Sequence, residues 1–427
     1  MRLANAAPLV LLLAADTTSA NLLKRASGFA ARHTKGLARD LRVAFGGVLP
    51  RSDAQQVIYC KSSAGAAAIN DPGSSGGSGS SAAPGSSPSG TSSSSGKGST
   101  TKGSKTASAP GATASSVWQL AQSYSGSTFF DGWDFWDTSD PTHGVVDYLS
   151  ESDGRAAGLV EVNSAGNAVM RVETTPTVAS VRKSIRITTQ ASFNGGLVIM
   201  DSVHMPTGCG TWPAFWSNGP NWPQGGEIDI VEGVNDYTNN QATIHTDPGC
   251  ALTTDNPAAL NATASAVTGG TDCAAATSGN QGCGMRDPSD VSFGAAFNSN
   301  GGGVYVMQWI SSGISVWFFQ ASSVPSDIQN GAPQPKTWGL PMAHWPASDC
   351  NPWKFFFDHV AIFDTTLCGD WAGSVWTSSG IPGQEQSCAT RTGFSTCEAF
   401  VAASGASFNE AYWEVRSVKF YNTTSPL

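Results

Sequence analysis

The chain has 427 residues, of which 40% are hydrophobic and only 13% are charged, with 48 Gly and 14 Trp. This composition excludes a coiled coil or a helix-rich protein and favours a loop-rich β protein. Residues 1–115 carry 12 Lys and Arg against 4 Asp and Glu, whereas residues 116–427 carry 11 against 28. Because so acidic a domain repels the phosphate backbone, nucleic-acid binding is excluded as its function.

Residues 1–20 predict a secretion signal peptide. Arg2 precedes an apolar run at residues 8–15, and the small residues that follow offer a cleavage site. The apolar run is too short to span a bilayer, and no hydrophobic tail follows Tyr421, so we expect no stable membrane anchor. We therefore expect a secreted protein, in the extracellular space or the cell wall.

Two further segments precede the acidic part of the chain. Residues 21–70 are partly basic, contain Cys60, and are interpreted either as a pro-segment or as a weakly ordered tail. Residues 71–114 predict a flexible linker, because the stretch 71–110 contains 15 Ser and 9 Gly and cannot bury a core. Residues 115–425 then form one large domain, which contains every Trp of the chain.

Short strand-like runs separated by turn signals recur through this domain, and long amphipathic helical patterns do not. Hairpin turns are predicted at residues 164–167 and 311–313. The pattern indicates an all-β fold, an antiparallel β-sandwich of the jelly-roll type. The predicted strands are Gly158–Asn163, Val169–Thr174, Ser184–Gln190, Leu197–Val203, Glu227–Val231, Ala242–Thr246, Val304–Ile310, Ile314–Phe319, Lys354–Phe363 and Tyr412–Tyr421.

The cysteines and two glycosylation signals agree with export. Eight of the nine Cys lie in the acidic domain, where they can form four disulfides whose pairing the sequence does not specify. None has the C-x-x-C spacing of zinc or redox sites. Asn261 and Asn422 each begin an N-x-[ST] acceptor sequence and are predicted glycosylation sites.

The densest group of acids is the run Glu227-Ile-Asp-Ile-Val-Glu232. On a strand, Glu227 and Asp229 share one face while Ile228 and Ile230 point into a core. Strict alternation would place Glu232 on the core face. One extra residue, a β-bulge near Ile230, would return Glu232 to the face of the other two carboxylates.

Paired carboxylates on one face fit the hydrolysis of glycosidic bonds. One carboxylate attacks the anomeric carbon, while the other protonates the leaving oxygen and then activates water. Neighbouring negative charges raise the pKa of one member, which retains the proton that the acid role needs. The alternative interpretation is an exposed acidic strand or a set of calcium ligands. The many Trp residues favour catalysis, because flat rings at a cleft stack on the faces of neutral sugars.

The wider sequence resembles the fungal laminarinases of glycoside hydrolase family 16 over residues 117–421. Glu227-Ile-Asp-Ile-Val-Glu232 is similar to the E-x-D-x-x-E signature of that family in its bulged form. The flanking runs also match. They are Gly208-Cys-Gly-Thr-Trp-Pro-Ala-Phe-Trp216, Asp140-Pro-Thr-His-Gly144, Thr243-Ile-His-Thr246 and Gly301-Gly-Gly-Val-Tyr305. The resemblance implies a concanavalin-like jelly roll with a long concave cleft.

The resemblance also implies roles for individual residues. Glu227 is the expected nucleophile, Glu232 the expected acid/base, and Asp229 the residue that tunes and orients Glu227. His245 is expected on the neighbouring strand, close to Glu232, and Trp222 is expected to stack on sugar. Trp212 and Trp216 are further candidates for substrate binding, although both could instead fill the core.

The expected activity is internal cleavage of β-1,3-glucan or mixed β-1,3/1,4-glucan with retention of configuration. Two alternatives stay open. One is a cell-wall glucan transglycosylase on the same fold, although such enzymes usually carry the shorter E-x-D-x-E spacing. The other is a non-catalytic glucan-binding protein, which would not need two glutamates. We expect a monomer that uses no cofactor, with a structural calcium ion compatible with the sequence but marked by no motif.

Overall fold

The computed structural model describes residues 116–252 and 270–423, together with the backbone of a short strand at residues 266–267. The descriptions below concern these residues alone. Within them, no helix has the length and apolarity needed to cross a membrane.

Four of the predicted features lie outside the described residues and stay predictions. They are the signal peptide at residues 1–20, the segment 21–70 with Cys60, the linker at 71–114 and the glycosylation site at Asn261. The second predicted glycosylation site, Asn422, is exposed near the end of the last described strand.

Strands dominate the described residues. In chain order they are β1 (Trp118–Ser125), β2 (Trp133–Phe135), β3 (Val146–Tyr148), β4 (Val160–Val162), β5 (Ala168–Arg171), β6 (Arg182–Ser184), β7 (Arg186–Thr189), β8 (Gly196–His204), β9 (Thr211–Asn218), β10 (Glu227–Glu232), β11 (Gln241–His245), β12 (Ala266–Val267), β13 (Cys283–Arg286), β14 (Gly303–Ile310), β15 (Gly313–Gln320), β16 (Ala343–Pro346), β17 (Val360–Leu367) and β18 (Tyr412–Thr423).

The helices are short. The α-helices are α1 (Glu151–Ala156), α2 (Gly294–Ser299), α3 (Ser326–Gln329), α4 (Pro352–Phe355), α5 (Cys388–Thr392) and α6 (Cys397–Ala403). Single turns of 3₁₀ helix lie at Gly126–Thr128, Ala321–Ser323, Pro335–Thr337 and Gly405–Phe408, and a π-helical turn lies at Gly369–Gly373.

The strands form two large antiparallel sheets. One has the order β16-β15-β14-β8-β18-β5-β4, with β1 also paired to β18, and the other has the order β12-β13-β11-β10-β9-β17-β7-β2. A separate parallel pair joins β3 to β6. This architecture confirms the predicted antiparallel β-sandwich, with both sheets left open rather than closed into a barrel.

The main core lies between the two sheets. Met307 and Trp309 of β14 share one cluster of buried residues with Phe215, Ile228 and Ile244 of the opposite sheet. Alternation explains this arrangement, because every second side chain of a strand points to the same face. The second sheet thereby keeps its other face free for the polar residues described below.

Most predicted strands and both predicted hairpins are confirmed. The strand predicted over Lys354–Phe363 is wrong in its first half. Helix α4 occupies Pro352–Phe355, where Pro stands in the first turn and the side chain of Asn351 accepts a hydrogen bond from the amide of Trp353. Proline in the first turn and an Asn cap favour a helix start, so the strand β17 begins only at Val360.

The eight cysteines of the acidic domain form four disulfides, as predicted. Cys250–Cys350 closes 100 residues, while Cys273–Cys283 closes only 10 and anchors the start of β13. The remaining pairs are Cys209–Cys388 and Cys368–Cys397.

Candidate active site

A β-bulge in β10 sets the direction of the carboxylates. Asp229 pairs with Trp216 of β9, while Val231 pairs with the very next residue, Phe215. Ile230 is therefore one residue more than β9 can match, and the register shifts at this point. The bulge predicted from the sequence is confirmed.

The consequence is that three acids face the same way. Glu227, Asp229 and Glu232 all line one cleft, whereas Ile228 and Ile230 are buried in the core. Asp229 is 3% and Glu232 8% exposed, so both carboxyl groups lie at the floor of the cleft.

The cleft has a volume of about 630 Å³ and crosses the free face of the second sheet. Its lining combines aromatic rings with polar and acidic groups, as in concave sites that bind small molecules. The residues around the three acids are Asp134, Phe135, Trp136, Pro141, Thr142, Arg186, Thr188, Trp212, Ala214, Trp216, Asn218, Trp222, His245, Asn280, Ile362, Asp364, Thr366 and Asp370.

Glu227 is held from two sides. Trp222 is 43% exposed, and its indole N–H donates to Oε2 of Glu227 at 2.6 Å. Oε1 of Glu227 lies 3.7 Å from Nε2 of His245. Burial and the negative charge of Asp229 raise the pKa of Glu227 to about 8, against the opposing effects of His245 and the Trp222 hydrogen bond. A proton is therefore bound within this row of acids near neutral pH.

Strand pairing determines the position of His245. It lies on the strand next to the carboxylates, as the resemblance implies, and the register pairs it directly with Glu227. Its Nε2 atom also lies 3.4 Å from Oδ2 of Asp229. Strand pairing across β10 and β11 fixes this geometry, and His245 therefore lies beside Glu227 and Asp229.

The carboxyl group of Glu232 is held by a different tryptophan. The indole N–H of Trp212 donates to Oε1 of Glu232 at 2.9 Å. Trp216, four residues later on the same face of β9, also lines the cleft and donates to Oδ2 of Asp364 at 3.2 Å. Both tryptophans thus belong to the cleft, although the ring of Trp212 is itself 5% exposed and packs into the core.

Sequence reasoning missed one part of the cleft. The guanidinium of Arg186 lies 4.8 Å from the ring centre of Trp136 and 5.2 Å from that of Trp216, so it is held between two indoles. It also lies 3.8 Å from Asp364. Burial raises the pKa of Asp364 to about 7, while Arg186 acts in the opposite direction. The signal that the sequence offered was one charged residue on each of two strands, Arg186 on β7 and Asp364 on β17, and both are buried in the structure.

Two groups of side chains bring together atoms that a metal ion could bind. Atoms of Glu227, Asp229 and His245 lie within 4.8 Å of one another, as do atoms of Cys209, Asp236 and Cys388. Both sulfurs of the second group are joined in a disulfide and offer no thiolate. The first group includes two of the three carboxylates predicted to be catalytic, Glu227 and Asp229, where the same closeness fits proton sharing.

Comparison with known proteins identifies close relatives. A family model described as the XgeA-like catalytic domain of glycoside hydrolase family 16 matches residues 133–421. A probable glycosidase of Schizosaccharomyces pombe is 45% identical over 308 residues, which cover 72% of this chain and 70% of that protein. The endo-1,3(4)-beta-glucanase XgeA of Emericella nidulans is 39% identical over 314 residues. These cover 73% of this chain but only 48% of that protein, so the chain spans about half of that relative.

Solved structures give the same fold. A structure described as an elongating family 16 β-1,3-glucosyltransferase is 38% identical, with a TM-score of 0.63, and the match covers 71% of this chain and 100% of that one. Laminarinase 16A from Phanerochaete chrysosporium, solved with 6-O-glucosyl-laminaritriose in its donor and acceptor sites, is 35% identical with a TM-score of 0.63. That match covers 71% of this chain and 99% of the laminarinase.

Proposed function

The chain belongs to glycoside hydrolase family 16, and from this membership we propose that it is a secreted endo-acting hydrolase of β-1,3-glucan, mixed β-1,3/1,4-glucan or both. One observation carries the proposal. Glu227, Asp229 and Glu232 line a single cleft because the bulge in β10 turns Glu232 onto the face of the other two. A protein that only binds glucan has no need of that arrangement.

The proposed reaction is a double displacement with retention. Glu227 attacks the anomeric carbon, and the bond to the leaving oxygen breaks as Glu232 transfers its proton to that oxygen. Glu232, now ionised, then takes a proton from water, whose oxygen attacks the anomeric carbon and releases Glu227. The two inversions restore the original β configuration.

Electrostatics around the row of acids supports the sharing of protons. The pKa of Glu227 is raised to about 8 by burial and by Asp229, so these acids do not all carry charge at neutral pH. Attack requires the ionised form of Glu227, and His245 and the hydrogen bond from Trp222 stabilise that form. The raised pKa of Glu227 would also suit a general acid, so it does not distinguish a nucleophile from an acid. The assignment of Glu227 as nucleophile and Glu232 as acid/base therefore rests on the match to the family motif.

The cleft lining supports a neutral glucan as substrate. Trp136, Trp216 and Trp222 offer ring faces or edges to the cleft, and acidic side chains outnumber the one lining cation, Arg186, among the described residues. An anionic polysaccharide would be repelled by this excess of carboxylates. The two solved relatives described above are, by their descriptions, a laminarinase and a β-1,3-glucosyltransferase.

Transfer to a sugar acceptor is the second candidate reaction. The observation that favours it is the 38% identity to an elongating β-1,3-glucosyltransferase. The same glycosyl-enzyme serves both reactions, and only the acceptor differs, water or a sugar hydroxyl. Product sizes distinguish them, because transfer from laminariheptaose yields chains longer than seven units and hydrolysis yields only shorter ones.

We also propose export, glycosylation and independence from cofactors. Four disulfides and the exposed Asn422 support passage through an oxidising compartment. A mass decrease after treatment with an N-glycosidase would support glycosylation. We further propose an active monomer, so light scattering should give the mass of one chain, and EDTA should leave the rate unchanged.

Release of reducing ends from laminarin and from barley mixed-linkage glucan tests the main proposal. Wild type should cut one or both polymers, and folded Glu227→Gln should lose on the order of 10⁴-fold in rate or more. The ratio of the two rates gives the preferred linkage. Folded wild type that binds glucan but neither releases ends nor lengthens chains would contradict the proposal.

A further inference from the structure

Asn240 occupies an unusual position beside the bulge. It directly precedes β11, is fully buried, and its side chain reaches across to β10. Its Nδ2 donates to the carbonyl of Ile230 at 2.9 Å, and its Oδ1 accepts from the amide of Glu232 at 3.0 Å. One side-chain amide therefore binds the backbone on both sides of Val231.

These contacts replace a missing strand partner. The register between β10 and β11 ends at the pair Asp229 and Thr243, so residues 230–232 have no partner in β11. Buried backbone N–H and C=O groups left unpaired cost free energy and allow the chain to shift. The Asn240 amide supplies both a donor and an acceptor, as a neighbouring strand would.

Asn240 is itself fixed from two other directions. Its own amide donates to Oγ of the buried Ser292 at 2.9 Å, and its carbonyl accepts from the amide of Asp287 at 2.8 Å. The backbone N–H and C=O of Asn240 and its side-chain Oδ1 and Nδ2 are therefore all hydrogen-bonded. The side chain has no other arrangement that keeps these bonds. The bulge is therefore held in one conformation by a residue eight positions after Glu232.

We propose that Asn240 is a positioning residue that directs Glu232 into the cleft by holding the bulge through its side-chain amide. It touches neither substrate nor the reacting atoms, and it acts through the backbone of Ile230 and Glu232. This inference rests on the proposed function, because it concerns the acid/base step of that reaction. A misplacement of about 1 Å in a catalytic group can lower a rate by 10²-fold.

The test uses two substrates that differ in their need for an acid. Laminarin has a poor leaving group and needs Glu232 as acid, whereas 2,4-dinitrophenyl β-laminaribioside has a leaving group that departs without a proton. Asn240→Ala should lower kcat/KM on laminarin by about 10²-fold. On the aryl laminaribioside it should lower kcat/KM by less than about threefold, because kcat/KM covers only the steps through the first displacement.

Asn298→Ala is the matched control. Asn298 also binds a backbone through both ends of its side-chain amide, accepting from the amide of Met205 at 2.9 Å and donating to the carbonyl of the same residue at 3.0 Å, but it lies on α2 outside the cleft. Its loss should leave the ratio of the two kcat/KM values unchanged, even if it lowers the melting temperature as much as Asn240→Ala does.

Two outcomes would overturn the inference. One is folded Asn240→Ala with equal losses on both substrates, and the other is no loss on either. If Asn240→Ala does not fold, the nearly isosteric Asn240→Asp carries the same comparison, because its carboxylate cannot donate to Ile230. The same selective loss is then expected. A wild type inactive on both substrates would instead overturn the proposed function itself, and the inference with it.

Discussion

The indole nitrogen of Trp212 donates a hydrogen bond to Oε1 of Glu232 at 2.9 Å, at the floor of the cleft. Glu232 is only 8% exposed, so this bond has little competition from water. The ring of Trp212 packs edge-on against Trp371 behind it, with ring centres 5.9 Å apart. Glu232, the proposed acid/base, is thus oriented by a side chain that is anchored in the core.

Trp212→Phe should therefore damage catalysis more than folding. Phe keeps an aromatic ring but removes the N–H, and removing the hydrogen-bond donor of a buried acceptor costs about 1–3 kcal/mol. We expect kcat on laminarin to fall by about tenfold or more, with little change in KM. Trp376→Phe is the control, since Trp376 donates to the carbonyl of Phe394 away from the cleft. An equal fall in kcat for both variants would contradict this role.

The buried acids predict how stability depends on pH. The pKa of Glu227 is raised from 4.5 to about 8 in the folded protein, so its contribution to stability is full below pH 4.5 and is lost as pH rises through 8. Glu227→Gln cannot ionise. Its free energy of unfolding should exceed that of wild type by at least about 1 kcal/mol at pH 8, and the excess should shrink towards pH 5.

Urea unfolding at several pH values measures this difference. Asp131→Asn serves as the control, because Asp131 is exposed and lies outside the cleft. Its free energy of unfolding should follow that of wild type at every pH. A Glu227→Gln variant that is no more stable than wild type at pH 8 would contradict a raised pKa for Glu227 in the folded protein.

The bulge predicts how inserting or deleting one residue in β10 changes activity. Side chains of a strand alternate, so one residue inserted between Ile230 and Val231 should turn Glu232 into the core. The insertion should remove activity on laminarin and lower stability. Deletion of Ile230 keeps Glu232 on the cleft face in a regular strand, so it should keep measurable activity in the folded fraction. The reverse order of activities would contradict the register.

Removal of one disulfide should mainly lower stability, whereas removal of another should mainly lower activity. Removal of Cys250–Cys350, which closes 100 residues, should cost about 2 kcal/mol more in free energy of unfolding than removal of Cys273–Cys283, which closes 10. The shorter bridge ends next to Gly282, where any side chain would collide with the ring of His245. The Cys273→Ser/Cys283→Ser variant should therefore lose more activity on laminarin than the other pair, measured well below either melting temperature.

The sequence predicted the arrangement of the acids because that arrangement is local. Alternation fixes the faces of Glu227 and Asp229, and the bulge at Ile230 follows from the need to bring Glu232 round. The sandwich also follows from the sequence, since hydrophobic runs and turn residues alternate along the whole domain. These features depend on neighbours within a few positions.

The rest of the site depends on pairing between distant strands. The sheet brings Arg186 of β7 and Asp364 of β17 together beside Trp216, although these residues lie far apart in the chain. The register of β10 with β11 likewise decides that His245 faces Glu227. Asn240 could not be identified, because a side chain that substitutes for a strand leaves no periodic signal.

Chemical rescue by azide distinguishes the roles proposed for Glu227 and Glu232. With 2,4-dinitrophenyl β-laminaribioside as donor, azide should enter the space left in Glu227→Ala and yield an α-glycosyl azide. In Glu232→Ala it should attack the glycosyl-enzyme from the other face and yield a β-glycosyl azide. The configurations are read from the anomeric proton by NMR. Exchanged configurations, or folded variants that still cut laminarin at the wild-type rate, would contradict the account.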